Sequence, residues 1–340
     1  MVLDGYTLTE GDRAAWSALD RLGNVEIFDR SSPDEVLARA QAARVLIVNK
    51  ARIGTDVIEA SSRLRLIAVT ATGYDCVDVV AASRRGIAVA NVPEYGTDSV
   101  AQFTFALLLE LCHRVGLHAE AVRSGDWSRS PDFCFWRTPQ LELAGLTLGI
   151  IGYGRIGRRV GEIAAAFGMR VLACSRQARR AGGVNPLIER QSAHDQGADA
   201  PRSPVRFVSM DDLVSQSDVI SLHCPLTNET RGLINRELLR RMKPTAFLIN
   251  TSRGGLVVDA DLADALNSAG LAGAALDVIS SEPVASDNPL LTARNCLITP
   301  HIAWATTAAR RRLLDCTIAN VEAFLTGRPI NIVRDLSTLK

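Results

Sequence analysis

Residues 148–176 constrain this chain more than any other stretch. Leu148, Ile150 and Ile151 form a short apolar run, the pattern of a strand covered on both faces. Gly152, Gly154 and Gly157 follow at G-x-G-x-x-G spacing, with Tyr153, Arg155 and Ile156 between them. Ile156, Val160, Ile163, Ala164 and Phe167 then recur at helical spacing, Gly168 stops the helix, and residues 171–173 supply a second strand. The sum is one βαβ unit with a glycine turn. Gly152 permits the tight turn, Gly154 lets backbone approach a pyrophosphate, and Gly157 lets helix pack on strand. The helix start then offers N–H groups to phosphate. A glycine pattern alone says little. With both strands and the helix in place it specifies dinucleotide binding, against the plain alternative of an α/β domain with an empty turn.

One position departs from the NAD pattern. The second strand of such a unit usually ends in a carboxylate that accepts bonds from the adenosine ribose. Here Ser175 and Arg176 stand there. A carboxylate would repel a 2′-phosphate, whereas serine beside arginine tolerates or binds one. NAD(H) or NADP(H) therefore both fit, with NADP(H) favoured.

A chain of 340 residues can hold two cored domains, and its formal charge of +1 gives no electrostatic case for nucleic acid or membrane. No apolar run reaches bilayer length, and the first residues lack the basic-then-apolar order of a signal peptide. Cysteines at 76, 112, 134, 174, 224, 296 and 316 are odd in number and show no Cys-x-x-Cys spacing, which argues against disulfides and against a metal site. The expectation is a soluble cytoplasmic protein.

The first hundred residues alternate strand and helix. Strands are predicted at 25–28, 45–48, 66–69 and 87–90. Ser32-Pro33-Asp34-Glu35 reads as a helix start, and a short helix is predicted at 55–60. Asn49-Lys50 follows one strand and Ala71-Thr72-Gly73-Tyr74 the next, at the ends where open parallel sheets bind ligands. A buried apolar helix is predicted at 100–114, placed between domains. Residues 124–140 carry Trp127, Phe133, Phe135 and Trp136, an aromatic arm that suits a subunit contact better than an intramolecular flap. Residues 177–205, with Arg179, Arg180 and three prolines, read as a long loop.

Beyond it, Ser209 is a helix cap for Asp212. Strands at 219–222, 246–249, 274–276 and 296–299 each end in polar groups. A helix at 259–268 closed by Gly270 and a long helix at 306–325 complete the chain.

Arg253, Glu282 and His301 stand out at those strand ends and loops. Each alone has an ordinary reading: a surface ion-pair residue, a turn end, a structural histidine. Together they fit one reaction. Hydride transfer to a carbonyl leaves charge on its oxygen, and histidine can supply the proton near neutrality. A carboxylate orients the ring and favours its protonated form. A guanidinium holds a substrate carboxylate by paired hydrogen bonds and polarises the carbonyl.

The segments Ala-Thr-Gly-Tyr, Asn-Val-Pro-Glu-Tyr-Gly-Thr-Asp-Ser-Val-Ala-Gln, Gly-Tyr-Gly-Arg-Ile-Gly, Asn-Thr-Ser-Arg-Gly-Gly, Leu-Asp-Val, Ser-Glu-Pro and Thr-Pro-His-Ile-Ala-Trp stand in one order along the chain. In these the chain resembles the D-isomer-specific 2-hydroxyacid dehydrogenase family over nearly its whole length. The Asn49-Lys50 pair, residues 130–134 and residues 301–304 resemble the glycerate dehydrogenases, or hydroxypyruvate reductases, within it. The resemblance implies substrate binding by Arg253, a tuning role for Glu282 and acid/base work for His301. It places Asp277 near the nicotinamide carboxamide, and Cys224, Pro225, Thr230, Thr251, Ser252, Arg253, His301 and Ala303 around the cofactor. It also assigns Lys50, Thr72, Gly73 and Tyr74, with Arg253 and His301, to the substrate, Thr72 and Gly73 through their backbone. Formate dehydrogenases of the family carry glutamine where Glu282 stands, which counts against that branch.

The expected fold is α/β: two Rossmann-like domains with parallel sheets, the cofactor domain (100–303) inserted into a discontinuous, flavodoxin-like substrate domain (1–99 plus 304–340), with the site in the cleft. The expected reaction is reversible reduction of a 2-oxo acid such as hydroxypyruvate or glyoxylate by a homodimer. The alternatives are a nucleotide-sensing corepressor on the same fold and a phosphite or D-lactate dehydrogenase.

Overall fold

The computed structural model describes residues 1–174 and 205–333. The chain divides into two compact units, residues 1–96 with 304–340 and residues 97–303.

The first unit is built on three parallel strands, β1 (Val45–Val48), β2 (Leu66–Val69) and β3 (Ala88–Ala90), in the order β1-β2-β3. Single-residue parallel bridges from Val2 to Ile47 and from Val2 to Ile27 extend the sheet beyond β1. With these included, the spatial order is that of a flavodoxin-like sheet, whose crossover lies between Val2 and β1. Residues 25–28 are not a strand, contrary to the sequence expectation. Val2 N–H donates to Glu26 O, its carbonyl accepts from Phe28 N–H, and Gly5 N–H donates to Phe28 O, yet only one bridge forms and no ladder. The helix Pro33–Ala42 starts as its sequence predicts: Glu35 N–H donates to Ser32 Oγ, and Ser32 N–H to Glu35 Oε2 at 2.7 Å. Apolar side chains of this helix pack with β1 and β2, while Trp16, Leu313 and Val321 pack on the other face around Ala68 and Ala90. The helix Thr307–Leu325 is capped by Thr306 and belongs to this unit.

Among the described residues, the second unit holds seven parallel strands, numbered below in chain order and lying side by side as β10-β9-β8-β7-β4-β5-β6. Its strands are β4 (Thr147–Ile151), β5 (Arg170–Cys174), β6 (Arg206–Phe207), β7 (Val219–Leu222), β8 (Phe247–Asn250), β9 (Gly273–Leu276) and β10 (Cys296–Ile298). β4, β7, β8 and β9 are buried along their whole length, as parallel strands covered on both faces must be. The order reverses between β4 and β7, which opens a crevice at their C-terminal ends. The helix Thr97–His113 begins three residues before the sequence expectation, because Thr97, Asp98 and Ser99 form its polar first turn. It packs through Phe105, Leu108 and Leu111 among Leu148, Val160 and Ile249. The helix Asp259–Asn267 is closed at Gly270 as its sequence predicts, Gly270 N–H donating to Ala265 O at 2.8 Å, while Ala269 before it takes the left-handed conformation at φ 56°. Among the described residues no single helix is long and apolar enough to cross a membrane.

Candidate active site

β4 runs into the glycine turn. Gly152 has φ 97°, and a Cβ there would lie 2.5 Å from Cys224 N and 2.6 Å from His223 C at the end of β7. Only glycine lets the two strand ends approach so closely at the crossover. Gly157 lies in the first turn of the helix Arg155–Ala166, where a Cβ would come 2.3 Å from Gly152 O. Gly154 differs: it caps that helix, is exposed, and a Cβ would meet nothing within 4 Å. The three glycines thus divide as turn, open approach and packing contact. Among the described residues no side chain caps this helix start, and no acidic residue occupies its first turn. These features fit a dinucleotide pyrophosphate, which needs bare backbone at close range and helix N–H groups without a competing carboxylate. Tyr153 packs edge-on against Phe207, Arg155 is exposed and Ile156 half-buried. Ser175, Arg176 and the loop expected at 177–205, except Val205, lie outside the described residues.

The neighbouring strand ends carry the expected chemistry. β8, β9 and β10 are adjacent, parallel and therefore open on the same edge. Arg253 follows β8, Glu282 lies in the turn after β9, and His301 follows β10. His301 Nδ1 and Glu282 Oε2 are 2.6 Å apart, with both side chains partly exposed. Glu282 Oε1 also accepts from Ile279 N–H at 3.3 Å. His301 sits at φ 56°, uncommon for a residue with a Cβ, and its N–H donates to Thr299 O. This pairing occupies Nδ1 and leaves Nε2 outside it.

Asp277, the residue after β9, is almost wholly buried. Its Oδ1 accepts from Thr299 Oγ1 at 2.6 Å and Ile302 N–H at 2.9 Å, and its Oδ2 from Ala303 N–H at 2.8 Å. Burial pushes its carboxyl above the usual range, opposed by these donors. It therefore braces both sides of His301, through the Thr299 hydroxyl before it and the Ile302 and Ala303 N–H groups after it. Ala303 is buried and its carbonyl accepts from Ser99 Oγ.

Other expected cofactor residues form the loop framework. Ser252 Oγ donates to Cys224 O at 2.7 Å, tying the β8 end to the β7 end. Thr251 Oγ1 pairs with Thr104 Oγ1 at 3.1 Å. Thr230 Oγ1 donates to Pro225 O and accepts from Thr227 N–H, so its hydroxyl shapes the turn after β7. His223, beside Cys224, pairs through Nε2 with buried Ser221 Oγ at 2.8 Å, and burial pushes its imidazole down to about 4. Among the described residues no group of three His, Cys, Asp or Glu could hold a metal ion.

In the first unit, Asp4 was missed by sequence reasoning. Its carboxylate accepts from three consecutive backbone N–H groups, Asn49 at 2.7 Å, Lys50 at 2.6 Å and Ala51 at 2.7 Å. It fills the crossover crevice of that sheet and fixes the Lys50 loop; forty-odd residues of intervening chain hide the pairing from any local pattern. Thr72 Oγ1 donates to Val92 O and Asn91 Nδ2 donates to Thr72 O, leaving Gly73 and partly exposed Tyr74 at the loop tip.

Comparison with known proteins agrees with this geometry. The profile described as "D-isomer specific 2-hydroxyacid dehydrogenase, NAD binding domain" matches residues 105–303. A hydroxypyruvate reductase of Blautia hydrogenotrophica is 47% identical over 336 residues, 98% of each chain. The chain belongs to the D-isomer-specific 2-hydroxyacid dehydrogenase family. It is an oxidoreductase of that family, acting between a nicotinamide cofactor and a 2-oxo or 2-hydroxy acid. Among solved structures, a D-lactate dehydrogenase from Aquifex aeolicus complexed with NAD and lactic acid superposes with TM-score 0.82 at 30% identity, covering 98% of this chain and 99% of that one. An acyclic imino acid reductase in complex with NADPH and D-Arg gives TM-score 0.80 at 29% identity, covering 96% and 97%. Both nicotinamide cofactors thus occur among its structural neighbours, and the corepressor alternative is not favoured.

Proposed function

We propose that this dehydrogenase reduces hydroxypyruvate or glyoxylate, with His301 as acid/base, Glu282 as its orienting partner and Arg253 as the holder of the substrate carboxylate. The observation that carries the reading is the 2.6 Å His301–Glu282 pair on the same sheet edge as the glycine turn. The bound nicotinamide supplies the hydride. In reduction, His301 starts protonated at both nitrogens: Nδ1–H donates to Glu282, and Nε2–H gives its proton to the oxygen that becomes the hydroxyl. In oxidation the same nitrogen starts bare and accepts that proton. Arg253 presents a planar pair of donors that matches a carboxylate. Lys50 and the backbone at Thr72 and Gly73 are assigned to the substrate with it, and Asp277 to holding the His301 turn and the nicotinamide amide.

The cofactor assignment is NADP(H) as well as NAD(H), because the sequence carries Ser175 and Arg176, and no carboxylate, directly after the second strand of the glycine-turn unit. The chain is assigned as a homodimer through the arm at 124–140, where Phe133 is 89% and Trp136 69% exposed within one protomer. Light scattering on the purified protein tests that assignment. The functional test is a panel of hydroxypyruvate, glyoxylate and pyruvate, each with NADH and NADPH. Hydroxypyruvate or glyoxylate should give the highest kcat/KM. A higher value for pyruvate overturns the substrate assignment, and a strong NADH preference overturns the cofactor assignment.

A further inference from the structure

We propose that Asn250 is a positioning residue for this reaction: its buried side-chain amide sets the backbone from which Arg253 projects. The inference rests on the reading of Arg253 as the holder of the substrate carboxylate.

Asn250 is the last residue of β8 and has 0% exposure. Its main chain serves the sheet, since its carbonyl accepts from Asp277 N–H at 2.9 Å. Its side chain serves the loop. Oδ1 accepts from Ser252 N–H at 3.0 Å, and Nδ2 donates to Arg253 O at 2.9 Å. One planar group thereby closes the turn from both sides. A loop conformation that breaks either bond strands a buried polar atom.

The next residue closes the other side. A Cβ on Gly254 would come 1.9 Å from Ile279 O and 2.0 Å from Ile279 C, so these two backbones are in direct contact. Ile279 N–H in turn donates to Glu282 Oε1, and Glu282 Oε2 meets His301 Nδ1. The Arg253 backbone is thus held between the Asn250 amide and the segment that carries the histidine's partner. Its guanidinium is steadied by its own loop, Nη1 donating to Ser252 O at 2.8 Å. Asparagine is the residue this role requires. Aspartate keeps the acceptor for Ser252 N–H but sets an oxygen against Arg253 O, which has no proton to share.

The test uses the full-length enzyme and the fastest 2-oxo acid of the panel, with Asn250→Asp, Arg253→Ala and the double variant. Asn250→Asp should lower kcat/KM about ten- to a hundredfold, chiefly through KM for the 2-oxo acid, the scale of a misplacement near 1 Å. NADH affinity by fluorescence should stay within about twofold of wild type, and the double variant should be no worse than Arg253→Ala alone. If the Asp variant does not fold, Asn250→Ser, too short to reach both partners, should show the same KM-weighted loss. An unchanged KM in the Asn250 variant, losses that multiply in the double variant, or a parallel loss of NADH affinity would each overturn the positioning role. Failure of the underlying reading looks different: Arg253→Ala itself would leave KM for the 2-oxo acid unchanged.

Discussion

Gly154 and Gly157 stand three residues apart in one turn, yet the structure gives them opposite consequences when a methyl group is added. At Gly154, φ −82° and ψ −159° suit alanine, and its Cβ meets nothing within 4 Å. Alanine is a poorer helix cap than glycine by up to about 1 kcal/mol. A less flexible unfolded chain returns about 0.4–1 kcal/mol. Stability should therefore change by less than about 1 kcal/mol. The methyl does, however, stand where a pyrophosphate would approach, and a displacement of about 1 Å should weaken the dinucleotide ten- to a hundredfold, about 1.4–2.7 kcal/mol. At Gly157 the added carbon would sit 2.3 Å from Gly152 O and 3.2 Å from Ile150 Cγ2, so the helix must withdraw by about 1 Å. Overpacking of this kind costs about 1–3 kcal/mol. In a unit of this size that lowers Tm by about 3–10 °C. The assay is thermal unfolding with and without NADH, paired with a fluorescence titration. Gly154→Ala should melt near wild type and lose most of the stabilisation by NADH; Gly157→Ala should melt low even without cofactor. Wild-type NADH affinity in Gly154→Ala, or a Tm as low as that of Gly157→Ala, would refute the division of roles.

Three further outcomes follow. His301→Ala should cost about 10²–10⁴ in turnover, and in the wild type reduction should weaken with rising pH while oxidation strengthens, measured as initial rates in both directions. His223 is held near 4 by burial against an ordinary 6.5, so below about pH 6.5 the unfolded chain takes up a proton that the folded chain refuses until about pH 4. Stability is lost as pH falls through that window, by about 3 kcal/mol at most, and His223→Gln should show a shallower fall in Tm between pH 7 and pH 5; parallel curves would contradict the assignment. Asp4→Ala removes the acceptor for three backbone N–H groups and should raise KM for the 2-oxo acid at unchanged NADH affinity, because Asp4 belongs to the first unit and the glycine turn to the second. A selective loss of NADH binding would sink that reading.

Much of the site was legible because its signals are local. The glycine turn, the Ser32–Glu35 box and the Ser209 cap each lie within a few residues, and each formed as spaced. Arg253, Glu282 and His301 could be picked out as strand-end residues. They were read as one set before any coordinate placed β8, β9 and β10 side by side. What failed or was missed depended on partners. Residues 25–28 have the composition of a strand but find only one bridge. Asp4 has no pattern around it that announces its bonds; Asn250 bonds backbone two and three residues ahead, a local turn signal that composition alone did not single out.

The sequence by itself determined the βαβ unit, the alternation of strands and helices, and the residue types at the strand ends, because hydrophobic period and turn chemistry act over a few residues. Only the tertiary structure decided which strand ends are neighbours, which nitrogen of His301 meets Glu282, and which buried amide or carboxylate holds each loop. Most of those choices rest on hydrogen bonds between residues distant in the chain, 19 positions apart for His301 and Glu282 and 45 to 47 for Asp4 and its three donors. A buried polar group takes whichever partner the packed sheet brings within about 3 Å, and chain order carries no record of that distance.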